Sequence, residues 1–216
     1  MTIALEDVPA VTLPSAVLEG ASVAEWILDD LGLLDLGDLT SEQIGDAVTS
    51  WHRVASRIDA LKLRLLAAAE KAEVAAELGM SGTGAWFARQ TRTSPSEAAR
   101  DVALADALVG EPGETGAALA RGELTSQHAQ VILRATDQLP ATLGDAQRAQ
   151  VEAALVEKAR RLDPQQLARA ARRALEEVET DVAKVDEHEN TLVRDAEAAA
   201  LARTRLTLHD NADGTV

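Results

Sequence analysis

The sequence predicts an all-α fold, a multi-helix domain around one long helix, and three observations carry that expectation. Alanine is the commonest residue at 43 of 216, and only four aromatics are present, Trp26, Trp51, Trp86 and Phe87; small side chains let helices approach closely and suit helix propensity. Ala47, Trp51, Val54, Ile58, Leu61, Leu65, Ala68, Ala72 and Ala75 recur at alternating four- and three-residue spacing, and all are apolar. Helix-start signatures also punctuate the chain, at Ser22-Val23-Ala24-Glu25, Thr40-Ser41-Glu42-Gln43, Ser94-Pro95-Ser96-Glu97 and Asp163-Pro164-Gln165-Gln166.

Met1 to Gly20 is β-branched and broken by proline, so an extended arm is expected there. The box at Ser22 then starts a short helix through Leu31, and Gly32 and Gly37 break the next segment into a loop; residues 1–39 form an acidic arm and short helix. The box at Thr40 opens the longest helix, expected over 40–78 with Gly79 as the left-handed residue beyond it. Such a helix spans about 55 Å at 1.5 Å per residue. Its seam over 47–75 either receives the rest of the domain or pairs with a second copy as a homodimer. A wider stripe with Ile44, Val48, Ala55 and Leu66 favours the intramolecular choice.

From Ala85 to Thr136 the chain holds two units of short helix, turn and longer helix. Trp86, Phe87 and Leu104 supply the bulky anchors, and Gly122-Glu123-Leu124-Thr125 stops one helix and caps the next. Leu139-Pro140 ends that helix. Gly144-Asp145 starts another, with Ala149, Ala153, Val156 and Leu162 on its apolar side; Asp163 caps a further one running to about Glu179. The helical domain is therefore 40–180, followed by a charged helix or linker over 181–204. Arg205 to His209 alternates like a strand and Asn211-Ala212-Asp213-Gly214 reads as a hairpin turn, so 205–216 is expected to be the start of a truncated β-hairpin and the chain a fragment.

The net charge is −15, and it is uneven: residues 1–50 carry ten acids and no Lys or Arg. Bases concentrate between Arg148 and Arg173, where seven stand against the three acids Glu152, Glu157 and Asp163. Arg169, Arg172 and Arg173 share a face at i, i+3, i+4 spacing on a regular helix. With Arg160 and Arg161 they are the candidate nucleic-acid contacts, and pairing with the acidic first 50 residues is the competing use. A helix-turn-helix is the other candidate. Ala118 and Gly122 have its spacing, and Thr125, Gln127, Gln130 and Arg134 would be its reading face, but Arg121 and Glu123 stand where apolar residues should pack. One cation on that face is little, because phosphate contacts supply most affinity for DNA.

Several chemistries are excluded. No cysteine is present, so disulfides, thiol catalysis and Cys-ligated metals are out. The histidines at 52, 128, 188 and 209 are scattered, without a metal-ligand partner at short spacing; His128 is expected to cap or pack. Asp186-Glu187-His188-Glu189 points in several directions on a helix and reads as a solvated charge run. No Ser-His-Asp order or Gly-rich phosphate loop stands out, so no catalytic residue, metal or cofactor is expected. Glu6 and Asp7 occupy the place where a signal peptide needs positive charge, and no uncharged run approaches membrane-spanning length. The protein is expected in the cytoplasm, away from membranes.

Trp86 with Ser96-Glu97-Ala98-Ala99-Arg100, then Ala118-Leu119-Ala120-Arg121-Gly122-Glu123-Leu124-Thr125, Gln127-His128-Ala129-Gln130-Val131-Ile132 and Leu162-Asp163-Pro164-Gln165-Gln166-Leu167 resemble one actinobacterial family, the domain of unknown function 222 or 13E12-repeat family. The resemblance covers about 40–216. It implies a helical region that precedes a C-terminal HNH endonuclease domain, whose motif this sequence lacks. The expectation is therefore a non-catalytic binding or assembly module of a parent that is a metal-dependent HNH endonuclease, with DNA and that nuclease domain as partners. The alternatives are an autonomous helix-turn-helix DNA-binding protein and a dimerising scaffold unrelated to nucleic acid.

Overall fold

The computed structural model describes residues 13–109 and 113–203, with side chains over 16–108 and 113–202. Among these residues there are ten α-helices, one 3-10 helix and no strand, as the all-α expectation requires. The expected hairpin at 205–216 lies outside the described residues. The chain divides into two compact units, Met1–Val48 and Thr49–Val216.

The first unit holds α1 (Leu13–Gly32) and the opening turns of α2 (Ser41–Lys71). The box at Ser22 does not start α1, contrary to expectation. The helix begins at Leu13, where Pro14 sits in the first turn and its missing N–H costs nothing. The Ser22 hydroxyl then donates back to the Leu18 carbonyl at 3.4 Å. By contrast, α2 opens as expected: Thr40 Oγ1 accepts from the Gln43 amide at 3.3 Å, and Gln43 Oε1 accepts from the Thr40 amide at 2.9 Å.

In the second unit, α2 stops at Lys71, seven residues short of the expected 78. Glu73 takes a left-handed conformation (φ 53°) and a single turn, α3 (Val74–Glu77), follows. This turn packs on α4 and buries Ala75, which offsets the cost of a left-handed non-glycine residue, about 1 kcal/mol. Gly79 (φ +66°) closes it as expected, with Met80 N–H donating to Ala75 O at 2.8 Å and Gly79 N–H to Ala76 O at 3.0 Å.

The two repeated units are α4 (Thr83–Thr91) with α5 (Pro95–Val109), and α6 (Glu114–Arg121) with α7 (Ser126–Asp137). Each short helix ends on a left-handed residue, Arg92 at φ 58° and Gly122 at φ 74°. Two cores result. One joins α2, α4, α5, α6 and α7 through Ala60, Leu63, Leu66, Phe87, Leu104, Leu119 and Ala129. The other joins α6 and α7 to α8 (Asp145–Ala159), α9 (Pro164–Ala170) and the 3-10 helix Ala171–Glu177, through Ala118, Ile132, Leu155, Leu167 and Leu175. Adjacent residues Ala118 and Leu119 thus enter different cores, and α6–α7 stands between them. Glu152 of α8 fixes that placement: its Oε1 accepts from the Thr115 amide at 2.9 Å, closing the α6 N-terminus.

Two further differences from the sequence reading have local causes. On α8 the buried residues are Val151, Leu155, Val156 and Ala159, whereas Ala149 and Ala153 are exposed; the larger side chains remove more apolar surface from water. The helix capped by Asp163, whose Oδ1 accepts from the Gln165 and Gln166 amides at 2.8 Å, tightens to 3-10 at Ala171. Its three-residue turn sets Ala171 and Ala174 on the core. Residues 182–203, expected as a charged helix or linker, form a helix, α10 (Val182–Arg203).

Candidate nucleic-acid interface

The arginine edge does not survive folding as one surface. Because the helix tightens at Ala171 and departs from helical angles at Arg173 (φ −102°, ψ 18°), the regular i, i+3, i+4 alignment of Arg169, Arg172 and Arg173 is lost. Arg173 turns to α10, bonding Glu189 at 2.7 Å and Asp186 at 2.9 Å, with Glu176 at 3.2 Å. Arg160 is held by Glu157 and, at 2.9 Å, by Glu123. Arg161 is 81% exposed, with one Glu157 oxygen at 3.7 Å. Arg169 and Arg172 are exposed and carry no ion pair among the described residues.

Arg121 and Glu123, which stand where a helix-turn-helix packs apolar residues, lie on the surface instead. Arg121 bonds Glu123 at 2.6 Å and Glu114 at 2.7 Å. The Arg121 hydrogen bond, then that of Arg160, draws the Glu123 carboxyl from 4.5 down to about 2. A carboxyl lowered on folding adds stability that is present above its unfolded pKa and lost as pH falls through the folded one. The contribution of this cluster should therefore be intact above pH 4.5 and disappear between 4.5 and 2. Carboxyl-carbon NMR should place the Glu123 midpoint near 2, and Arg121→Ala with Arg160→Ala should move it back toward 4.5. A wild-type midpoint already near 4.5 would remove the cluster from the solution structure.

The reading face proposed for α7 is divided. Thr125 is consumed as the cap: its Oγ1 accepts from the His128 amide at 3.3 Å, and its own amide donates to His128 Nδ1 at 3.3 Å. His128 Nε2 then donates to the Leu162 carbonyl at 2.9 Å, which assigns the ring proton to Nε2 and makes His128 a cap and a tie to the turn between α8 and α9. Gln127 and Gln130 are exposed and line a polar cleft of about 560 Å³ with His52, Lys62, Arg100 and Asp101. Arg134 is exposed farther along, in a second cleft of about 470 Å³ that also holds Arg172 and Asp195. In the first cleft Lys62 lies 3.0 Å from Asp101 and 3.4 Å from Asp59. Burial acts to lower its pKa, but the Asp101 hydrogen bond and charge, with Asp59 behind them, outweigh it and raise it. Sequence reading missed this cleft, since nothing local connects Lys62 with Asp101.

The helix α2 presents the least expected surface. The residues it buries are Ser56, Ala60, Leu63 and Leu66, not the 4-3 seam. Trp51, Leu61 and Leu65 are each 45% exposed and Ile58 54%; of the nine seam positions only Ala75, now in α3, is buried. A shallow groove of about 370 Å³ runs along it between Val54, Ile58, Leu61 and Ala120, edged by Arg57 and Arg64.

Among the described residues no three His, Asp or Glu side chains converge to hold a metal ion, and no helix is long and apolar enough to cross a membrane. No curated protein and no solved structure matches the chain. The family model described as a domain of unknown function, DUF222, matches residues 46–215, which takes in both repeated units, both cores and the α8–α10 region. The chain belongs to the DUF222 family.

Proposed function

We propose that this chain is a non-catalytic helical binding and assembly module, acting beside an HNH-type nuclease domain as its family resemblance implies, and that its principal ligand is protein. The exposed apolar seam of α2 carries this reading: a helix side opposite the core, with Trp51, Ile58, Leu61 and Leu65 in solvent, is the kind of surface that partners cover. The basic residues argue the same way, since Arg121, Arg160, Arg173 and Lys158 are engaged by acids of the same chain. The chain's net charge of −15 adds a general repulsion from phosphate.

A second reading, a helix-turn-helix-like DNA-binding protein, is favoured by one observation: Gln127 and Gln130 border a cleft that also holds Lys62 and Arg100. A gel-shift salt series on duplex DNA separates the two. The expected result is weak binding with a shallow slope of log affinity on log salt. Arg169→Ala with Arg172→Ala should flatten it by about two units at most, as those are the two edge arginines left unpaired. Sequence-dependent binding that changes with Gln127→Ala or Gln130→Ala would favour the second reading.

A further inference from the structure

We infer that the apolar seam of α2 is the docking groove for the acidic helix α1 of a second copy of this chain, the exchange running both ways in a two-fold dimer. The inference rests on the binding-module reading above. It begins with the charges beside the seam. On a helix whose seam is Trp51, Val54, Ile58, Leu61 and Leu65, the positions on either side that carry charge are Arg57, Lys62, Arg64 and Lys71, and every one is basic. Two α2 helices laid side by side in parallel would bring Arg57 against Lys62 of the second copy. Laid antiparallel with the seams in full overlap, they would bring Arg57 against Arg57. Both pairings repel, so a second α2 is a poor occupant.

The groove therefore asks for a helix with an apolar stripe and acidic rather than basic charge beside it. The chain encodes one. In α1, Val17, Ala21, Ala24, Leu28 and Leu31 recur at the same 4-3 spacing, and its charged residues are all acidic, Glu25 and Asp29 on one side of that stripe and Glu19 and Asp30 on the far face. Val17 and Leu28 are 43% and 50% exposed. On the α2 side, Arg53, Arg57 and Arg64 are exposed and carry no ion pair among the described residues. Exchange of α1 between two chains covers both apolar stripes twice, sets Glu25 and Asp29 along one basic border of each groove, and closes with no surface left to propagate. It also gives a use to the charge asymmetry of the sequence, whose first 50 residues hold ten acids and no base.

The test is sedimentation velocity of the full chain with two charge-reversed variants, Arg57→Glu/Arg64→Glu and Glu25→Lys/Asp29→Lys. The wild type should be a dimer. Each variant alone should weaken dimerisation by about tenfold or more, with helical circular dichroism unchanged. Mixed one to one, the two variants should form a heterodimer, because each then meets a complementary partner. Should Arg57→Glu/Arg64→Glu lose helicity, Arg57→Gln/Arg64→Gln takes its place and the α1 variant still decides. A wild type that stays monomeric at every concentration overturns the inference. So does a dimer indifferent to both charge sets yet abolished by Leu61→Glu, which would be seam-to-seam pairing. Either result leaves the protein-binding reading standing; that reading falls instead to DNA binding in the salt series that is steep and Arg169- and Arg172-dependent, or sequence-dependent and sensitive to Gln127→Ala or Gln130→Ala.

Discussion

Gly122→Ala should be among the most damaging single changes in this chain, costing about 2 to 4 kcal/mol. Two independent effects add. Gly122 sits at φ 74°, where a Cβ costs about 1 to 2 kcal/mol. The Cβ would also meet α2: 2.5 Å from Arg53 Cγ, 2.7 Å from the Arg53 carbonyl oxygen and 3.0 Å from Arg57 Cγ. The arginine stems can shift, but the carbonyl belongs to the α2 backbone and cannot move without moving the helix. The turn between α6 and α7 is thus pressed onto α2, and the left-handed glycine is what permits the approach. Gly79→Ala is the control. Its φ is +66°, yet nothing lies within 4 Å of the added carbon, so only the same backbone cost of about 1 to 2 kcal/mol applies. Urea midpoints of the two variants against wild type decide the matter. Adding Arg53→Ala to Gly122→Ala should recover only part of the loss, since the carbonyl clash remains. Equal costs at Gly79 and Gly122 would mean that the close approach is absent in solution.

Apart from the box at Ser22, which lies inside α1, helix starts marked by local chemistry are legible, because a cap involves residues within three or four positions. The reciprocal bonds at Thr40 with Gln43, Thr125 with His128 and Asp163 with Gln166 fall where the sequence puts them. So do the glycines at 79 and 122. The break at Glu73 and the tightening at Ala171 were not readable. Neither position holds a breaker, and both follow from packing, of α3 on α4 and of the 3-10 helix on the second core. The arginine edge failed for a related reason. Its partners are remote in sequence, Glu123 lying 37 residues before Arg160, and Asp186 and Glu189 lying 13 and 16 after Arg173. Spacing reports which side chains share a face of one helix; it carries nothing about acids arriving from another.

The side of α2 that meets the core is not the strongly periodic one, and Leu63→Glu against Leu61→Glu tests this. Leu63 is 2% exposed, Leu61 45%. The stronger periodic signal belongs to the outer side, while the inner side, Ser56, Ala60, Leu63, Leu66 and Ala67, mixes small, polar and large residues. Ser56 can be buried because its hydroxyl donates to the His52 carbonyl at 3.2 Å, so no polar group is left unsatisfied. The core that this side joins is itself lined by the alanines Ala98, Ala105 and Ala129 of α5 and α7. An unpaired carboxylate at Leu63 has no such remedy. Leu63→Glu should unfold the chain or cost upward of about 4 kcal/mol, and Leu63→Ala about 2 to 5. Leu61→Glu should change stability by no more than about 0.5 kcal/mol at concentrations where the chain is monomeric. At higher concentrations its apparent deficit should grow, because the wild type alone gains from association. Circular dichroism with urea titration at several protein concentrations reads all three. Unfolding by Leu61→Glu at the lowest concentration, with Leu63→Glu tolerated, would return the seam to the core and remove the groove on which the dimer depends.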